Sequence, residues 1–415
     1  MIKVNPFTPN SPVHKDMFAG RKSEIDAIDK ALLQTAHGNP THLLLLGERG
    51  IGKTSLLNAA DFFARGDVLW EAERKHNFLV SRVSLNENIT LVDLAISLKN
   101  SIERELDKEY PQIALIKKAW NFLSRFEAVG ISYKKDESNK NNAQIIQDFI
   151  YSLSDTLKLI QNKSLSVKDK KDGLVILIDE ADKASKELFI GSFLKNLTET
   201  LVRESNNNIL FIVSGLPNTR NILSDSHESS LRLFQEFDLG PLSSEETSQV
   251  INNGLKESKK TSNIDTVINK DALISIYAYS EGYPHFVQQI GYSVFEADTD
   301  NIISIEDVKK GVFMNHGALE LIGDRYYVKP FYKDINVESQ REILTIMAEK
   351  WNDWIKKTDI QKNFSGKKTA LNNGLRALKE KGIIIPREGY NGQYRLQWAS
   401  FAFWIKNHKK TERRN

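Results

Sequence analysis

The chain has 415 residues, a formal net charge of +3 at pH 7, 40% hydrophobic and 27% charged residues, and no cysteine. This length accommodates two or three domains with cores of their own. The lack of cysteine excludes disulfides, thiolate zinc sites and thiol catalysis, and it is compatible with a reducing cytoplasm. We predict no signal peptide, because no apolar core follows Lys3, and no membrane span, because the longest apolar runs are only strand-sized.

The first predicted helix follows a short F-x-G-R motif that ends at Gly20 and Arg21. Ser23 is a candidate N-cap for this helix, and apolar residues at helical spacing follow, beginning with Ile25 and Ile28. A helix beside a nucleotide-binding strand would place Gly20 and Arg21 near the base or the phosphates. The alternative is an ordinary surface arginine.

The most specific motif is a phosphate loop between a strand and a helix. Residues 43–46 are an apolar run typical of a strand, and helix-forming sequence follows at Ser55, which we count with the loop. Glycines let backbone N–H groups converge on phosphates, and the helix start favours an anion. Lys53 suits the β- and γ-phosphates of ATP, and the Thr54 hydroxyl suits Mg²⁺. A Gly-rich hairpin turn, the alternative, does not explain the flanking strand and helix. The pattern G-x-x-x-x-G-K-[ST] is matched by Gly47, Glu48, Arg49, Gly50, Ile51, Gly52, Lys53 and Thr54.

A second half-site follows about 125 residues further along the chain. Residues 174–178 form a five-residue apolar run typical of a buried parallel strand, and Asp179 and Glu180 follow it directly. A carboxylate at the strand tip can hold Mg²⁺, and its neighbour can polarise an attacking water. We assign Asp179 to the metal and Glu180 to the water; the alternative is that both complement a helix dipole. For Asp182 a helix-start or surface role is as plausible as a catalytic one.

Further strands are predicted at 78–85, at 208–215 and around 237–239, with mostly helical sequence between 91 and 172 and a polar loop at 134–142. Strands that alternate with helices predict a three-layer α/β domain with a parallel sheet. Ligands of such sheets bind beyond the carboxyl ends of the strands. Gly47, Asp179, Ser214 and Asn218 all lie at such ends, which favours a single site.

The remaining sequence predicts two further domains and a tail. Residues 243–333 read as a helical lid, with Ser243 or Ser244 as a cap and Pro284 at a helix start. Within 334–406, helices at 338–350, 357–364 and 367–381 precede strands at 383–385 and 394–396, which is the winged-helix pattern. The core domain is predicted to span 1–242 and a basic tail 407–415.

The carboxyl-terminal part is the basic part of the chain. Residues 335–415 hold 17 Lys and Arg against 8 Asp and Glu, a net charge of +9, whereas the remainder is −6. This asymmetry indicates an anionic partner, and double-stranded DNA fits a winged helix. The alternative is that the winged helix docks a protein. Trp351, Trp354, Trp398 and Trp404 are predicted to be packing residues rather than base-stacking ones. The candidate DNA contacts are Lys367, Lys368, Asn372, Asn373, Arg376 and Lys379 on the third helix, and Arg387, Tyr390 and Arg395 on the wing.

The order of these motifs resembles one known group of proteins. The F-x-G-R motif, the phosphate loop, the Asp179-Glu180 pair, the strand end at Ser214 and the G-x-P motif at Pro284 follow one another with family-like spacing. The chain is similar to the AAA+/STAND group of P-loop ATPases, near the archaeal-type and origin-recognition-like ATPases with a carboxyl-terminal winged helix. The resemblance covers about residues 15–405, and its two Walker motifs are the specific part.

The resemblance implies roles for several further residues. Gly20 and Arg21 would lie beside the nucleotide, Pro284 would lie against the adenine, and Ser214 or Asn218 would be the sensor. Arg232 would reach the γ-phosphate of a neighbouring subunit in a homo-oligomer, unless it serves packing or an ion pair within its own subunit. One departure is that the helix after Pro284 lacks the arginine of a second sensor and offers only His285. This favours a STAND-like switch over a fast motor.

Three functions follow from this interpretation. The first is an ATP-dependent switch that binds and slowly hydrolyses ATP with Mg²⁺. The second makes DNA binding the main purpose, as in a loader, a transposition helper or a regulator. The third is a regulatory subunit that controls an effector protein in a bacterial defence or mobile-element system. The effector activity would have to come from the partner, because no nuclease or protease motif is present in the chain.

Overall fold

The structure is a computed structural model of the full chain. It describes residues 3–11, 19–68, 75–109, 138–162, 170–335, 337–350, 353–387 and 389–412. The chain divides into two compact units, one of Pro12–Gly240 and one that combines Met1–Ser11 with Pro241–Asn415. Within the described residues, no helix is both long enough and apolar enough to cross a membrane.

The first unit is built on a five-stranded parallel sheet, which confirms the predicted fold class. The strands occur in the order β2-β3-β4-β1-β5. β1, β3 and β4 are buried along their whole length, as expected for central strands covered on both faces. The strands are β1 (His42–Leu46), β2 (Phe78–Ser84), β3 (Gly173–Asp179), β4 (Ile209–Gly215) and β5 (Phe234–Asp238).

Helices connect and cover these strands. Each has apolar residues that are almost fully buried, and leucine, isoleucine and phenylalanine side chains of several helices form one core with the sheet. Helix α1 begins differently from the expectation: Arg21 is its N-cap residue, with φ 59°, and Ser23 contacts Glu24 instead of capping. The helices of this unit are α1 (Lys22–Ala36), α2 (Lys53–Arg65), α3 (Leu91–Glu109), α4 (Ser138–Ile160), α5 (Ile190–Arg203) and α6 (Thr219–Ser226).

The second unit begins with a helical part. Ser243 caps its first helix in a capping box with Glu246, as the sequence predicted, and Pro284 is the first residue of the helix that it starts. Residues near the amino terminus pack on this part, with Phe7 buried beside Gly291 and Phe295. The elements are α7 (Ser244–Ser262), β6 (Val267–Ile268), α8 (Lys270–Ser280), α9 (Pro284–Ala297), β7 (Ile302–Ile303), α10 (Ile305–Phe313), α11 (Ala318–Tyr326) and a π-helical turn (Pro330–Asp334).

Four helices and a small antiparallel sheet follow in the described part of the same unit. The predicted hairpin forms between β9 and β10, with Leu396 paired to Ile384, and β8 adds a third strand that the sequence did not reveal. The remaining elements are α12 (Glu338–Ala348), β8 (Ile355–Lys356), α13 (Lys357–Asn363), α14 (Lys368–Glu380), β9 (Ile384–Pro386), β10 (Gln393–Leu396) and α15 (Ala399–Glu412).

A buried histidine at the start of β1 makes the first unit sensitive to acid. The Nδ1 atom of His42 accepts a hydrogen bond from the backbone N–H of Phe211 at 3.2 Å, and burial lowers the pKa of His42 to about 4. The pKa of His42 in the unfolded chain is about 6.5, so below that pH the unfolded state binds a proton that the folded state does not. The contribution of His42 to the free energy of unfolding is therefore fully present above pH 6.5 and is lost as the pH drops towards 4.

We expect His42→Asn to remove this acid sensitivity, because an asparagine oxygen still accepts the bond from Phe211. Between pH 7 and pH 5, the wild-type protein should lose about 2 kcal/mol more of its free energy of unfolding than the variant, as measured by urea unfolding. The exposed His37 provides the control, since His37→Asn should keep the wild-type slope. Equal slopes in H42N and the wild type would show that His42 does not titrate as described.

Candidate functional site

The phosphate loop lies between β1 and α2, as the sequence predicted. β1 ends at Leu46, α2 begins at Lys53, and the loop backbone takes left-handed conformations at Gly50 (φ 78°) and Gly52 (φ 96°). Residues other than glycine rarely adopt these φ angles. The first N–H groups of a helix have no partner within it, so the start of α2 presents donors and a positive potential to an anion. Glu48 and Arg49 are exposed, Ile51 is buried, and Ser55 is half-buried.

Lys53 folds over this loop. Its Nζ atom donates hydrogen bonds to the backbone oxygens of Gly47 at 2.7 Å and Glu48 at 3.0 Å. Burial lowers the pKa of Lys53, while the nearby carboxylates of Asp182, Asp179 and Glu48 oppose this shift. The ammonium group is therefore held at the loop by carbonyl oxygens that a phosphate can replace.

Asp179, at the carboxyl end of β3, is the centre of the site. Its Oδ2 atom accepts hydrogen bonds from the Thr54 hydroxyl at 3.0 Å and from Arg82 Nη2 at 3.1 Å. Its Oδ1 atom accepts from the Ser214 hydroxyl at 2.6 Å and from the backbone N–H of Glu180 at 3.0 Å. The side chain is only 7% exposed. Four donors from four parts of the chain thus fix one carboxylate beside the phosphate loop.

Arg82 was not predicted from the sequence to be part of this site. Arg82 lies on β2, which pairs with β3 so that Ser84 is opposite Asp179. Its Nη1 atom also donates to Asn58 Oδ1 on α2. A lone basic residue within the apolar strand 78–85 was the available signal, but its meaning depends on which strand is the neighbour of β3.

Glu180 and Asp182 have different surroundings. Glu180 has a left-handed backbone (φ 57°), and its half-exposed carboxylate pairs with Lys183 at 2.7 Å. Asp182 Oδ1 accepts a hydrogen bond from the backbone N–H of Leu216 at 3.0 Å. Asp182 therefore connects the end of β3 to the segment after β4, whereas Glu180 is accessible at the site.

The two sensor candidates differ in how they relate to Asp179. β4 lies between β3 and β1, so Ser214 is on the strand between the two halves of the site, and its hydroxyl bonds to Asp179. Asn218 is exposed at the start of α6 and makes no side-chain cap there. The structure thus brings Ser214, but not Asn218, onto the carboxylate.

The side chain of Arg21 contacts the backbone of the phosphate loop. The side chain is buried, and Nη2 donates to the backbone oxygen of Ile51 at 3.0 Å and to that of Gly240. Gly20 precedes it with φ 77°, and Phe18 of the same motif lies outside the described residues. Arg21 therefore joins the loop to the chain that leaves β5.

Arg232 lies at the opposite edge of the sheet from the phosphate loop. It precedes β5, which begins at Phe234 and runs parallel to β1. It is exposed and borders a cavity of about 980 Å³ that Lys30 and Arg203 also line. Because β1 carries the phosphate loop at its other end, Arg232 lies away from that loop.

Pro284 belongs to the second unit. Gly282 before it has φ 73°, and a Cβ there would lie 2.0 Å from the backbone oxygen of Leu242, so the motif requires glycine. Although the sequence near Pro284 offers only His285 as a basic residue, the fold adds Arg325 from α11, whose Nη1 atom is 2.8 Å from His285 Nε2. Burial, together with the charge of Arg325, lowers the pKa of His285 to about 4.

The candidate DNA contacts on α14 share one exposed surface. Lys368, Asn372 and Arg376 are four residues apart, so they lie on one face of the helix, and every candidate at or within α14 is exposed. The face opposite them is buried through Leu371, Gly374, Leu375 and Leu378. The candidates are Lys367, Lys368, Asn372, Asn373, Arg376 and Lys379.

On the hairpin, arginines stack on aromatic rings. Arg387 lies 4.0 Å from the centre of the Tyr390 ring, and Arg395 lies 5.1 Å from the centre of the Trp354 ring. Tyr390 is 53% exposed. Trp404 is buried as predicted, Trp398 packs near Tyr283 and Tyr327, and Trp351 lies outside the described residues.

Comparison with known families gives a match within the first unit. Residues 17–212 match the model of a family described as AAA ATPase domain. This range contains the phosphate loop, Arg82, Asp179 and Glu180.

Comparison with individual proteins extends over nearly the whole chain. An uncharacterized HTH-type transcriptional regulator of Methanocaldococcus jannaschii is 24% identical over 416 residues, which cover 95% of this chain and 90% of that protein. The Walker-type ATPase of Pyrococcus abyssi has a TM-score of 0.52 and 16% identity, and the match covers 97% of this chain and 99% of the other. The ORC2 protein of Aeropyrum pernix, in ADPNP–ADP complexes, has a TM-score of 0.55 and 14% identity, with 95% of each chain covered. These likenesses establish a shared fold.

Proposed function

Because residues 17–212 of this chain match the model of the AAA ATPase domain family, we propose that the protein binds ATP with Mg²⁺ at the phosphate loop and hydrolyses it slowly, as a nucleotide-dependent switch. One observation carries this proposal: the Thr54 hydroxyl lies 3.0 Å from Asp179 Oδ2, although 125 residues separate them. The two halves of a metal-nucleotide site are thereby joined.

The donor set fits Mg²⁺. Thr54 and Asp179 offer a hydroxyl and a carboxylate oxygen, which are the hard ligands that this ion prefers. Among the described residues, no group of three or more His, Cys, Asp or Glu side chains forms a metal site. Mg²⁺ at Thr54 and Asp179 would therefore depend on the phosphates of the nucleotide, whose charge it neutralises when bound.

The residues of the loop and of β3 then have distinct roles. Lys53 binds the β- and γ-phosphates, and the N–H groups at the start of α2 orient them. Glu180 takes a proton from a water molecule, whose oxygen bonds to the γ-phosphorus as the bond to the β–γ bridging oxygen breaks and ADP leaves. Glu180 must first leave Lys183, with which it pairs at 2.7 Å, and this step is consistent with slow turnover.

The bound nucleotide would be sensed by Ser214 beside Asp179 and by Arg232 of a neighbouring subunit. Ser214 bonds to the carboxylate that faces the metal, so its position responds to the ligand there. Arg232 is exposed at the edge of the sheet away from its own phosphate loop, which suits a contact with the nucleotide of a neighbouring subunit. We therefore propose a nucleotide-dependent homo-oligomer. We propose a STAND-like switch rather than a fast motor because, in the resemblance to AAA+/STAND ATPases, the helix after Pro284 lacks the arginine of a second sensor.

We also propose that residues 334–406 form a winged helix that binds double-stranded DNA. Two observations favour DNA over a protein partner: the exposed basic face of α14 and the net charge of +9 over residues 335–415. A helix of this kind enters the major groove while the wing contacts the backbone, a place suited to Arg387, Tyr390 and Arg395. The regulator of Methanocaldococcus jannaschii is described as HTH-type, which agrees with a helix-based DNA reader.

Steady-state ATP hydrolysis with and without duplex DNA tests this function. We expect DNA to stimulate hydrolysis, and we expect replacement of Lys367, Lys368 and Arg376 by alanine to abolish the stimulation while basal turnover persists. Each lost phosphate contact lowers the slope of log Kd for DNA against log salt concentration by about 0.9. The three substitutions together should therefore lower this slope by about 2 to 3. Alanine at Lys259, Lys260 and Lys309, exposed lysines on other helices of the same unit, is the matched control.

Two other outcomes would redirect the proposal. A slow rate that DNA does not change would favour the switch that controls an effector protein, with the winged helix as its docking domain. Absence of ATP binding would refute the ATPase function itself.

A further inference from the structure

We infer that Arg82 is a positioning residue that contends with Mg²⁺ for Asp179 and thereby sets how much Mg²⁺ the site requires. The inference rests on the proposed ATPase function and goes beyond it, because it assigns a regulatory contact on β2 to that site. It predicts that the protein responds to the Mg²⁺ concentration through one arginine.

The contact occupies the oxygen that faces the phosphate loop. Arg82 Nη2 donates to Asp179 Oδ2 at 3.1 Å, and the Thr54 hydroxyl donates to the same oxygen at 3.0 Å. The other oxygen, Oδ1, accepts hydrogen bonds from the Ser214 hydroxyl and from the backbone N–H of Glu180. A metal held with Thr54 therefore meets the oxygen that Arg82 uses, and not the one that Ser214 fixes.

Charge makes the two cations competitors. Asp179 carries one negative charge on a side chain that is 7% exposed, and the guanidinium already balances it. Mg²⁺, or a water molecule that it polarises, needs the same oxygen, and two positive groups beside one carboxylate repel each other. Mg²⁺ therefore gains less from Asp179 while Arg82 remains in contact.

Arg82 has a second anchor that keeps it near the site when it leaves Asp179. Its Nη1 atom donates to Asn58 Oδ1, and Asn58 lies four residues after Thr54, on the same face of α2. The guanidinium thus bridges α2 and β3. The side chain is 33% exposed, so it has room to turn towards solvent about the Asn58 contact.

The test compares nucleotide affinity with and without the metal. The fluorescent nucleotide mant-ADP is titrated into the full chain in EDTA and in saturating Mg²⁺. The Kd in EDTA divided by the Kd in Mg²⁺ measures how strongly the metal strengthens nucleotide binding. A partly exposed ion pair changes a binding constant by about fivefold. Arg82→Gln removes the pair that competes with Mg²⁺ for Asp179, so it should raise this ratio by about fivefold. Arg82→Lys keeps the charge and should keep the ratio within about twofold of the wild type.

Two further variants make the result specific. Asn58→Ala removes the second anchor, so it should shift the ratio in the same direction by less, and it keeps the test valid if R82Q does not fold. Arg65→Gln is the matched control, because Arg65 on α2 pairs with Asp61 and Glu105 and bonds to no residue of the phosphate loop in the described part of the chain. Its ratio should equal that of the wild type.

The outcomes separate this inference from the function on which it rests. An R82Q ratio that is equal to or below the wild-type ratio would overturn the inference, because Arg82 would then support the metal or not affect it. Wild-type protein that binds mant-ADP neither in EDTA nor in Mg²⁺ would instead refute the nucleotide site.

Discussion

Lys53→Ala should abolish nucleotide binding. The ammonium group lies over the phosphate loop, 2.7 Å from the Gly47 oxygen, and would exchange this contact for charge-assisted bonds to the β- and γ-phosphates. Removing one partner of such a charged contact costs about 3 kcal/mol or more, which weakens binding by more than about a hundredfold. Titration of mant-ATP in Mg²⁺ measures the loss directly.

A control distinguishes the lost contact from lost folding. Lys195 lies on α5 in the same unit and pairs with Glu199, so Lys195→Ala removes a charge without changing the loop. Both variants should unfold within a few degrees of the wild type, since neither opens a large cavity. If K53A bound mant-ATP within about threefold of the wild type, the loop would not be the phosphate site.

The site could be predicted from the sequence wherever its chemistry is local. The phosphate loop and the Asp179-Glu180 pair are continuous patterns that follow buried strands, and the carboxyl ends of parallel strands meet at one edge of the sheet. The distance between Thr54 and Asp179 confirms that the two motifs come together. Ser214, one of the two sensor candidates, lies near the end of the strand between them and bonds to Asp179.

What the sequence missed depends on tertiary pairing. Arg82 reaches Asp179 only because β2 is the neighbour of β3, and no local pattern states that order. Arg325 reaches His285 from another helix, 40 residues further along the chain. Ser23 was wrongly expected to cap α1: Arg21, in a left-handed conformation, is the N-cap residue. β8 has only two residues, too few for a periodic signal.

Glu180→Gln should bind ATP and fail to hydrolyse it. Glutamine has the shape of glutamate but cannot take a proton from water, so turnover should fall by about a hundredfold or more. Affinity for ATP should persist or rise, because the substitution removes a negative charge close to the phosphates. Single-turnover hydrolysis and mant-ATP titration on the same preparation separate the two effects.

The ion pair of Glu180 supplies the control for this prediction. Lys183→Ala breaks the 2.7 Å pair but leaves the carboxylate, so its turnover should be at or above the wild-type rate. If K183A lost turnover as E180Q does, local disorder would explain both losses. Hydrolysis by E180Q at the wild-type rate would contradict the assignment. Asp182 would then be the next carboxylate to replace, although its bond to the backbone of Leu216 commits it to holding the chain after β4. The freer carboxylate of Glu180 is therefore the one we expect to meet the attacking water.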